Sequence, residues 1–133
     1  MDSLGFVFQV TVTDGHNPMQ TRQITVTVAT PSYANDVQAI WTAKCVSCHD
    51  GMHANVPMDL SAGSSRGALV GQDMVASCAN TKRVVASDPT HSGLINKLTG
   101  STCGTRMPEN APALSAGELV MIQSWILRGA LDN

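Results

Sequence analysis

The stretch "KCVSCHD", residues 44–50, constrains this chain more than any other feature of its sequence. It places Cys45 and Cys48 three positions apart and puts His49 directly after the second cysteine. Two thiols at this spacing can each form a thioether to one vinyl group of a haem, and the adjacent imidazole then lies under the iron. The pattern therefore predicts one covalently attached c-type haem per chain, with Cys45 and Cys48 as anchors and His49 as an axial ligand.

Two other kinds of site use cysteines at this spacing. A thioredoxin-like redox pair requires a βαβ setting, which this sequence does not predict. A zinc site would use all the cysteines of the chain, although a second close pair is missing. Its ligands would be Cys45, Cys48, Cys78 and Cys103. Both alternatives stay open beside the haem.

The composition agrees with an interior that a cofactor fills. Only 4% of the 133 residues are aromatic, so a core built from protein alone would be thin. The net charge is −2 and no basic run is present, so we expect no nucleic-acid partner. No stretch of about 18 apolar residues predicts a transmembrane segment. A signal-peptide pattern is also missing, so we expect the chain to be mature or a piece of a longer protein.

Three stretches carry a resemblance to a known family. They are "YANDVQAIWTAKCVSCHDG" at 33–51, "HSGLINKLTG" at 91–100 and "GTRMPENAPALSAGELVMIQSWILRGALDN" at 104–133. The region resembles a class I, single-haem c-type cytochrome of the bacterial periplasmic or extracellular kind. For residues 31–133 the resemblance implies a mainly α fold, the class I cytochrome c helical fold around a covalent haem. Residues 1–30 precede it as a two-stranded β-hairpin segment.

The resemblance also implies function, location and partners. We expect electron transfer rather than enzymatic activity, in the periplasm or outside the cell. The partners would be redox proteins or neighbouring haem subunits. The alternative is a haem enzyme, or a domain that reacts with gas or peroxide, in which the sixth ligand of the iron is labile.

The second axial ligand is implied by the same resemblance. The family takes it from a methionine followed by proline just ahead of the last helix, which is Met107-Pro108 here. Pro108 restricts Met107 to an extended conformation, and thioether ligation raises the reduction potential. Rival ligands remain among the other sulfur and imidazole side chains: Met74, His53 and His91. Two methionines lie too close to the motif to reach the opposite haem face easily: Met52 and Met58.

Two further expectations concern the surroundings of the haem. The remaining cysteines, Cys78 and Cys103, are expected to form a disulfide, because haem c is attached where disulfides persist. Such a bridge closes a loop of about 25 residues, and the alternative is two buried thiols. Four basic residues could meet the haem propionates, and the sequence does not choose among them: Arg66, Lys82, Arg83 and Lys97.

Three helices are predicted in the haem domain. The first starts at Ser32 or Asn35 and runs into the haem motif. The second starts near residue 88 or at Ser92 and ends at Gly100. The last begins with a capping box, Ser115-x-x-Glu118, and stops at Gly129. The stretch "DLSAGSSRGALVGQDM", residues 59–74, is expected to be a loop along one haem edge.

Two alternating stretches, "FVFQVTVT" at 6–13 and "RQITVTV" at 22–28, predict a β-hairpin. It resembles the closing hairpin of immunoglobulin-like or cadherin-like repeats. An isolated hairpin is marginal in water, so its apolar face and edges need a partner. The hairpin could end a larger protein, pack on its own haem domain, or complete a sheet on a neighbouring subunit. The last of these predicts a homopolymer through the N-terminal strands, and an extracellular filament.

Overall fold

The computed structural model describes residues 3–53, 58–74, 78, 80–100 and 102–133. The chain divides into two compact units, Met1–Thr30 and Pro31–Asn133. The division falls between the same two residues at which the sequence separates the hairpin segment from the haem domain.

The first unit is the predicted β-hairpin, with strands that are longer than predicted. β1 spans Ser3–Val12 and β2 spans Gln20–Ala29, and the two pair in antiparallel register with Phe8 opposite Ile24. Large apolar side chains on the described part of the hairpin are exposed to solvent: Val7, Phe8, Val10, Val12 and Ile24. Association of the chain through these strands stays a prediction.

The connection between the strands is held by one carboxylate. Asp14 Oδ1 accepts hydrogen bonds from the backbone N–H groups of His16 (2.9 Å) and Asn17 (2.8 Å). These bonds lower the pKa of Asp14 to about 2. Gly15 takes a φ of +77°, a conformation that glycine adopts without steric cost. The Asp14-Gly15 pair therefore opens the turn.

The second unit begins with a helical stretch that leads to the haem motif. A π-helical turn, Tyr33–Val37, runs directly into α1, Gln38–Lys44. Ser32 caps this stretch, since its Oγ accepts from the backbone N–H of Asn35 at 3.3 Å. The predicted cap is confirmed, and the first residue after α1 is the first cysteine of the motif.

Three further helices follow in the second unit. They are α2 at Ser65–Leu69, α3 at Gly93–Thr99 and α4 at Ala116–Leu127. Ser92 precedes α3 and Gly100 ends it with a φ of +76°, and the capping box predicted for α4 is present. Within the part of the chain that the structure describes, no helix combines the length and apolar character needed to cross a bilayer.

The core lies where the N-terminal helical stretch meets α4. Their buried side chains are Tyr33, Val37, Ile40, Trp41, Ile122, Trp125 and Ile126. The rings of Tyr33 and Trp125 pack with centroids 4.9 Å apart. Each large apolar side chain buried in this way stabilises the fold by about 1.5–3 kcal/mol. The contact therefore holds the start of the second unit to its last helix.

The predicted fold class, a mainly α class I cytochrome c helical fold, is wrong. Helices make up 32% of the chain and the two-stranded sheet 18%, and the described elements do not show a cytochrome fold. The helices are short: α1 and α3 have 7 residues each. Apart from α2, the described residues between α1 and α3 form turns, bends, loops and isolated bridges, such as Val70 with Val84. The motif predicts a cofactor site, and it does not specify the segments around that site.

The prediction of a loop over residues 59–74 is also wrong in part, because α2 lies within it. Leu69 is 1% exposed and Ser65 is fully buried. Ser65 Oγ hydrogen-bonds to Tyr33 Oη at 2.6 Å and to Gln38. These tertiary contacts hold a helical turn in a segment whose Gly and Ser content favours a loop.

One ion pair joins the end of α1 to the first turn of α4. Lys44 Nζ lies 2.9 Å from Glu118 Oε1, and Glu118 also accepts a hydrogen bond from the backbone N–H of Ser115 at 2.7 Å. The bond from Lys44 and then those from Ser115 lower the pKa of Glu118 from 4.5 to about 2. A carboxylate whose pKa is lower in the folded than in the unfolded state stabilises the fold above the unfolded pKa. That stabilisation is lost as the pH falls through about 2.

The substitution Glu118→Gln should therefore lower the free energy of unfolding at pH 7. The difference from the parent chain should narrow as the pH falls from 4.5 towards 2. Urea denaturation of both chains, followed by circular dichroism across this pH range, measures this difference in the free energy of unfolding. Glu109→Gln removes the same charge outside this ion pair and is the matched control. A difference that stays constant down to pH 2 would contradict the charge-dependent role of Glu118.

Candidate functional site

The haem motif forms a tight turn directly after α1. The backbone N–H of Cys45 donates to the carbonyl oxygen of Trp41 at 2.9 Å. The N–H groups of Cys48 and His49 both donate to the carbonyl oxygen of Cys45, at 3.1 and 2.9 Å. Trp41 is 0% exposed, so the core fixes where α1 ends and the turn begins. Both cysteines carry unbridged thiols, with Cys45 buried and Cys48 exposed.

One cavity of about 680 Å³ brings this turn together with a distant part of the chain. Cys45, Cys48 and His49 line it, and so does Met107. Its volume lies within the range of about 300–1,000 Å³ that is usual for small-molecule and cofactor sites. Much of the remaining wall is apolar: Trp41, Met58, Leu60, Leu69, Leu94 and Leu98. The four side chains predicted to hold a haem therefore share one largely apolar cavity.

Burial sets the protonation of two of these side chains. It raises the pKa of the Cys45 thiol to about 11, so the sulfur is a neutral thiol near pH 7. Burial also lowers the pKa of His49, and the nearby positive charges of Arg83, His53 and Lys97 lower it further. His49 is therefore held as the neutral imidazole, which is the form that binds a metal. Its Nδ1 atom is buried and has no hydrogen-bond partner within the described structure.

Met107 reaches the cavity because its segment folds back onto α3. The backbone N–H of Met107 donates to the carbonyl oxygen of Lys97, in α3, at 2.9 Å. Gly100 ends α3, and a Cβ atom at this position would lie 2.9 Å from Cβ of Arg106. The glycine thus allows the close approach that directs residues 102–107 back along the helix.

Two of the rival ligands, His53 and Met74, also line the cavity, and so does Met58. Met52 and His91 do not contribute to its wall. Met52 is 86% exposed, and His91 pairs through Nδ1 with Asp88 Oδ2 at 2.6 Å. Met58 lines the same cavity, and the expectation that it lies too close to the motif to reach the opposite haem face easily stays a prediction.

Met74 is held by a contact that the sequence did not reveal. A Cβ atom on Gly93 would lie 2.9 Å from both Cγ and Sδ of Met74, and 3.0 Å from the carbonyl oxygen of Lys82. The backbone N–H of Met74 also donates to the carbonyl oxygen of Thr81 at 2.8 Å. In the sequence, nothing distinguishes Gly93 from an ordinary residue at the start of a helix. The need for a residue without a side chain at position 93 follows only from the position of Met74 beside it in the structure.

Two of the four basic residues named from the sequence line the cavity, Arg83 and Lys97. Arg66 and Lys82 do not. Arg66 Nε instead donates to the carbonyl oxygen of Ala130 at 2.8 Å, and Lys82 Nζ pairs with Asp73 at 2.6 Å. The structure therefore separates the basic residues into two that face the cavity and two that are engaged elsewhere.

Cys78 and Cys103 form a disulfide, the pairing that the sequence predicted. The zinc site is therefore ruled out as proposed, since two of its four thiols are consumed. Among the described residues, no group of three or more His, Cys, Asp or Glu side chains could hold a metal ion. The bridge ties the segment after Met74 to the segment before Met107, and it is compatible with an oxidising compartment.

The thioredoxin-like alternative also disagrees with the site. In such pairs the nucleophilic cysteine has a lowered pKa. Here burial raises the pKa of Cys45, and the motif follows the end of a helix. The hairpin strands do not form a βαβ unit, since they pair directly and antiparallel.

Comparison of the chain with protein-family models, with curated proteins and with solved structures gives no match. The interpretation of the site therefore depends on its own residues and geometry. They fit a haem: two unbridged thiols, a neutral imidazole with an unpartnered buried nitrogen, and a thioether all meet at one largely apolar cavity.

Burial of Cys45 predicts a difference in thiol reactivity in chain produced without haem attachment. At pH 8 only roughly one Cys45 in a thousand is a thiolate, so iodoacetamide should modify exposed Cys48 much faster. The rate at Cys45 should rise about tenfold per pH unit until the pH nears 11. Peptide mass spectrometry after timed alkylation measures both rates, and the bridged Cys78 and Cys103 are the internal unreactive control. Equal rates at pH 8 would contradict the buried environment of Cys45.

Proposed function

We propose that this chain transfers electrons through one covalently bound c-type haem. Cys45 and Cys48 would anchor the group, and His49 and Met107 would ligate its iron. The observation that carries the proposal is the convergence of these four side chains on one cavity, although Met107 is distant in sequence. The proposal depends on this site and not on a cytochrome fold.

Each residue has a defined task. The thiols of Cys45 and Cys48 would each add across one vinyl group, forming a C–S bond while the thiol proton goes to the neighbouring carbon. The turn after α1 presents His49 beside them as a neutral imidazole, and the Met107 segment supplies a thioether. When bound, the haem supplies an iron that cycles between ferric and ferrous states. The apolar wall excludes water and limits rearrangement during that cycle.

The cavity favours a carrier over an enzyme. Besides Met107, three further side chains with sulfur or imidazole ligands line it: His53, Met58 and Met74. A site with several such ligands would keep the sixth position of the iron filled, whereas peroxide or gas chemistry needs that position open. We therefore infer that both axial ligands stay bound in both oxidation states.

Exposure of the motif indicates where electrons pass. Cys48 and its neighbour Ser47 are exposed and line the cavity, so a haem edge near these residues would lie close to solvent. Partners that dock there are redox proteins or haem subunits of neighbouring chains. We place the chain in the periplasm or outside the cell, because haem c is attached in an oxidising compartment and the disulfide is compatible with one.

The visible spectrum of the full chain, produced in a bacterium that attaches c-type haem, tests the carrier function. We expect a low-spin, six-coordinate spectrum in both oxidation states, with reversible reduction through a single one-electron step. A high-spin spectrum in either state, or rapid reaction with peroxide or carbon monoxide, would support the haem enzyme instead.

Substitution of the two best-placed methionines tests the sixth ligand. Met107→Ala should remove the signature of thioether ligation and lower the reduction potential, because a thioether favours ferrous iron. Met74→Ala is the matched control: it removes the same group from the same cavity and should leave both properties nearly unchanged. The assignment of Met107 is overturned if Met74→Ala has the larger effect.

A further inference from the structure

Two cations line the cavity and have no acidic partner among the described ion pairs. They are Arg83 and Lys97. The described ion pairs are Lys44 with Glu118, His53 with Asp50, Lys82 with Asp73, and His91 with Asp88. Lys44, the third cation in the lining, is thus neutralised by Glu118, whereas none of the described ion pairs includes Arg83 or Lys97.

Both cations are held in place by backbone carbonyl groups. Arg83 Nη1 donates to the carbonyl oxygen of Ala68 at 2.7 Å, and Lys97 Nζ donates to that of Cys103 at 2.9 Å. A carbonyl orients a cation without cancelling its charge. A guanidinium has about five N–H donors and an ammonium about three, so each side chain keeps donors that these bonds do not use.

One short helix positions both charges. Lys97 belongs to α3, and the backbone N–H of Leu94 in the same helix donates to the carbonyl oxygen of Arg83 at 2.9 Å. The carbonyl oxygen of Lys97 also accepts from the N–H of Met107 at 2.9 Å. The two cations and the proposed thioether ligand are therefore supported by the same seven-residue element.

We propose that Arg83 and Lys97 form a subsite for two carboxylate groups of the ligand, which in a haem are its propionates. This rests on the proposed function and deepens it by selecting two of four basic residues. Fixed guanidinium and ammonium groups bind carboxylates through charge-assisted hydrogen bonds. With the thiols of Cys45 and Cys48 at the vinyl groups, the subsite sets the orientation of the porphyrin in the cavity.

Binding of a haem and its dimethyl ester to the full chain tests the subsite directly. The Cys45→Ala/Cys48→Ala chain blocks covalent attachment, so equilibrium affinities can be measured from the visible spectrum. The ester lacks the propionate charges and should bind roughly ten to a hundred times more weakly than haem. Adding Arg83→Gln and Lys97→Gln should abolish this preference. Arg66→Gln and Lys82→Gln remove the same charge outside the cavity and should preserve it.

The possible failures of the two proposals are distinguishable. Equal affinity for haem and its ester overturns the carboxylate subsite and leaves the haem site standing. Loss of the preference for haem over its ester in the Arg66→Gln/Lys82→Gln control would overturn the assignment of the subsite to Arg83 and Lys97. If neither haem nor its ester binds to the Cys45→Ala/Cys48→Ala chain or to the chain with intact cysteines, the haem site and the subsite are both overturned.

A second measurement uses the chain with its haem attached and does not depend on reversible binding. Arg83→Gln should leave a propionate uncompensated near the iron and so favour the ferric state. At a fixed applied potential the ferrous-to-ferric ratio should fall about tenfold, a shift of about 59 mV for one electron. Arg66→Gln should leave the ratio unchanged. An unchanged potential in both Arg83→Gln and Lys97→Gln would contradict the subsite.

Discussion

Packing of the N-terminal helical stretch against α4 is the constraint on which the site depends. Trp41 and Trp125 are almost fully buried, and the backbone of Trp41 is bonded to the first cysteine of the motif. A helix fixed in this way presents its next five residues in one orientation. The thiols and the imidazole therefore meet the cavity as a preformed group, without the entropic cost of ordering a mobile loop on binding.

The far wall of the cavity is built on α3. Its first residue, Gly93, packs against Met74. Lys97 also belongs to this helix, and its carbonyl oxygen accepts a hydrogen bond from the backbone N–H of Met107. The disulfide between Cys78 and Cys103 closes the chain around the same helix. A helix of 7 residues is marginal by itself, so these tertiary links determine its stability. The Met107 segment, the cations and the bridge consequently form one connected wall of the cavity, which would support the proposed ligand.

Residue patterns that act over a few positions predicted the helix caps, the helix ends and the hairpin correctly. The fold class inferred from the sequence was wrong. The caps at Ser32 and Ser115, the ends of α3 and α4, and the hairpin follow from hydrogen bonding and steric preferences that act over a few residues. α2 and the proximity of Gly93 to Met74 depend on contacts between distant segments, which residue patterns do not encode. The class I fold was inferred from motifs that specify chemistry at a site. Such motifs constrain the ligands more strongly than the path of the chain between them.

The central claim is that Cys45 and Cys48 are joined to a porphyrin beside His49. The most direct measurement is the mass of the intact chain, purified from cells able to attach c-type haem and then denatured, followed by sequencing of its proteolytic fragments. We expect a mass that exceeds that of the polypeptide by one haem, with the added mass on the single fragment that contains both Cys45 and Cys48. A chain that has the mass of the polypeptide alone, or carries the addition on another fragment, would contradict it.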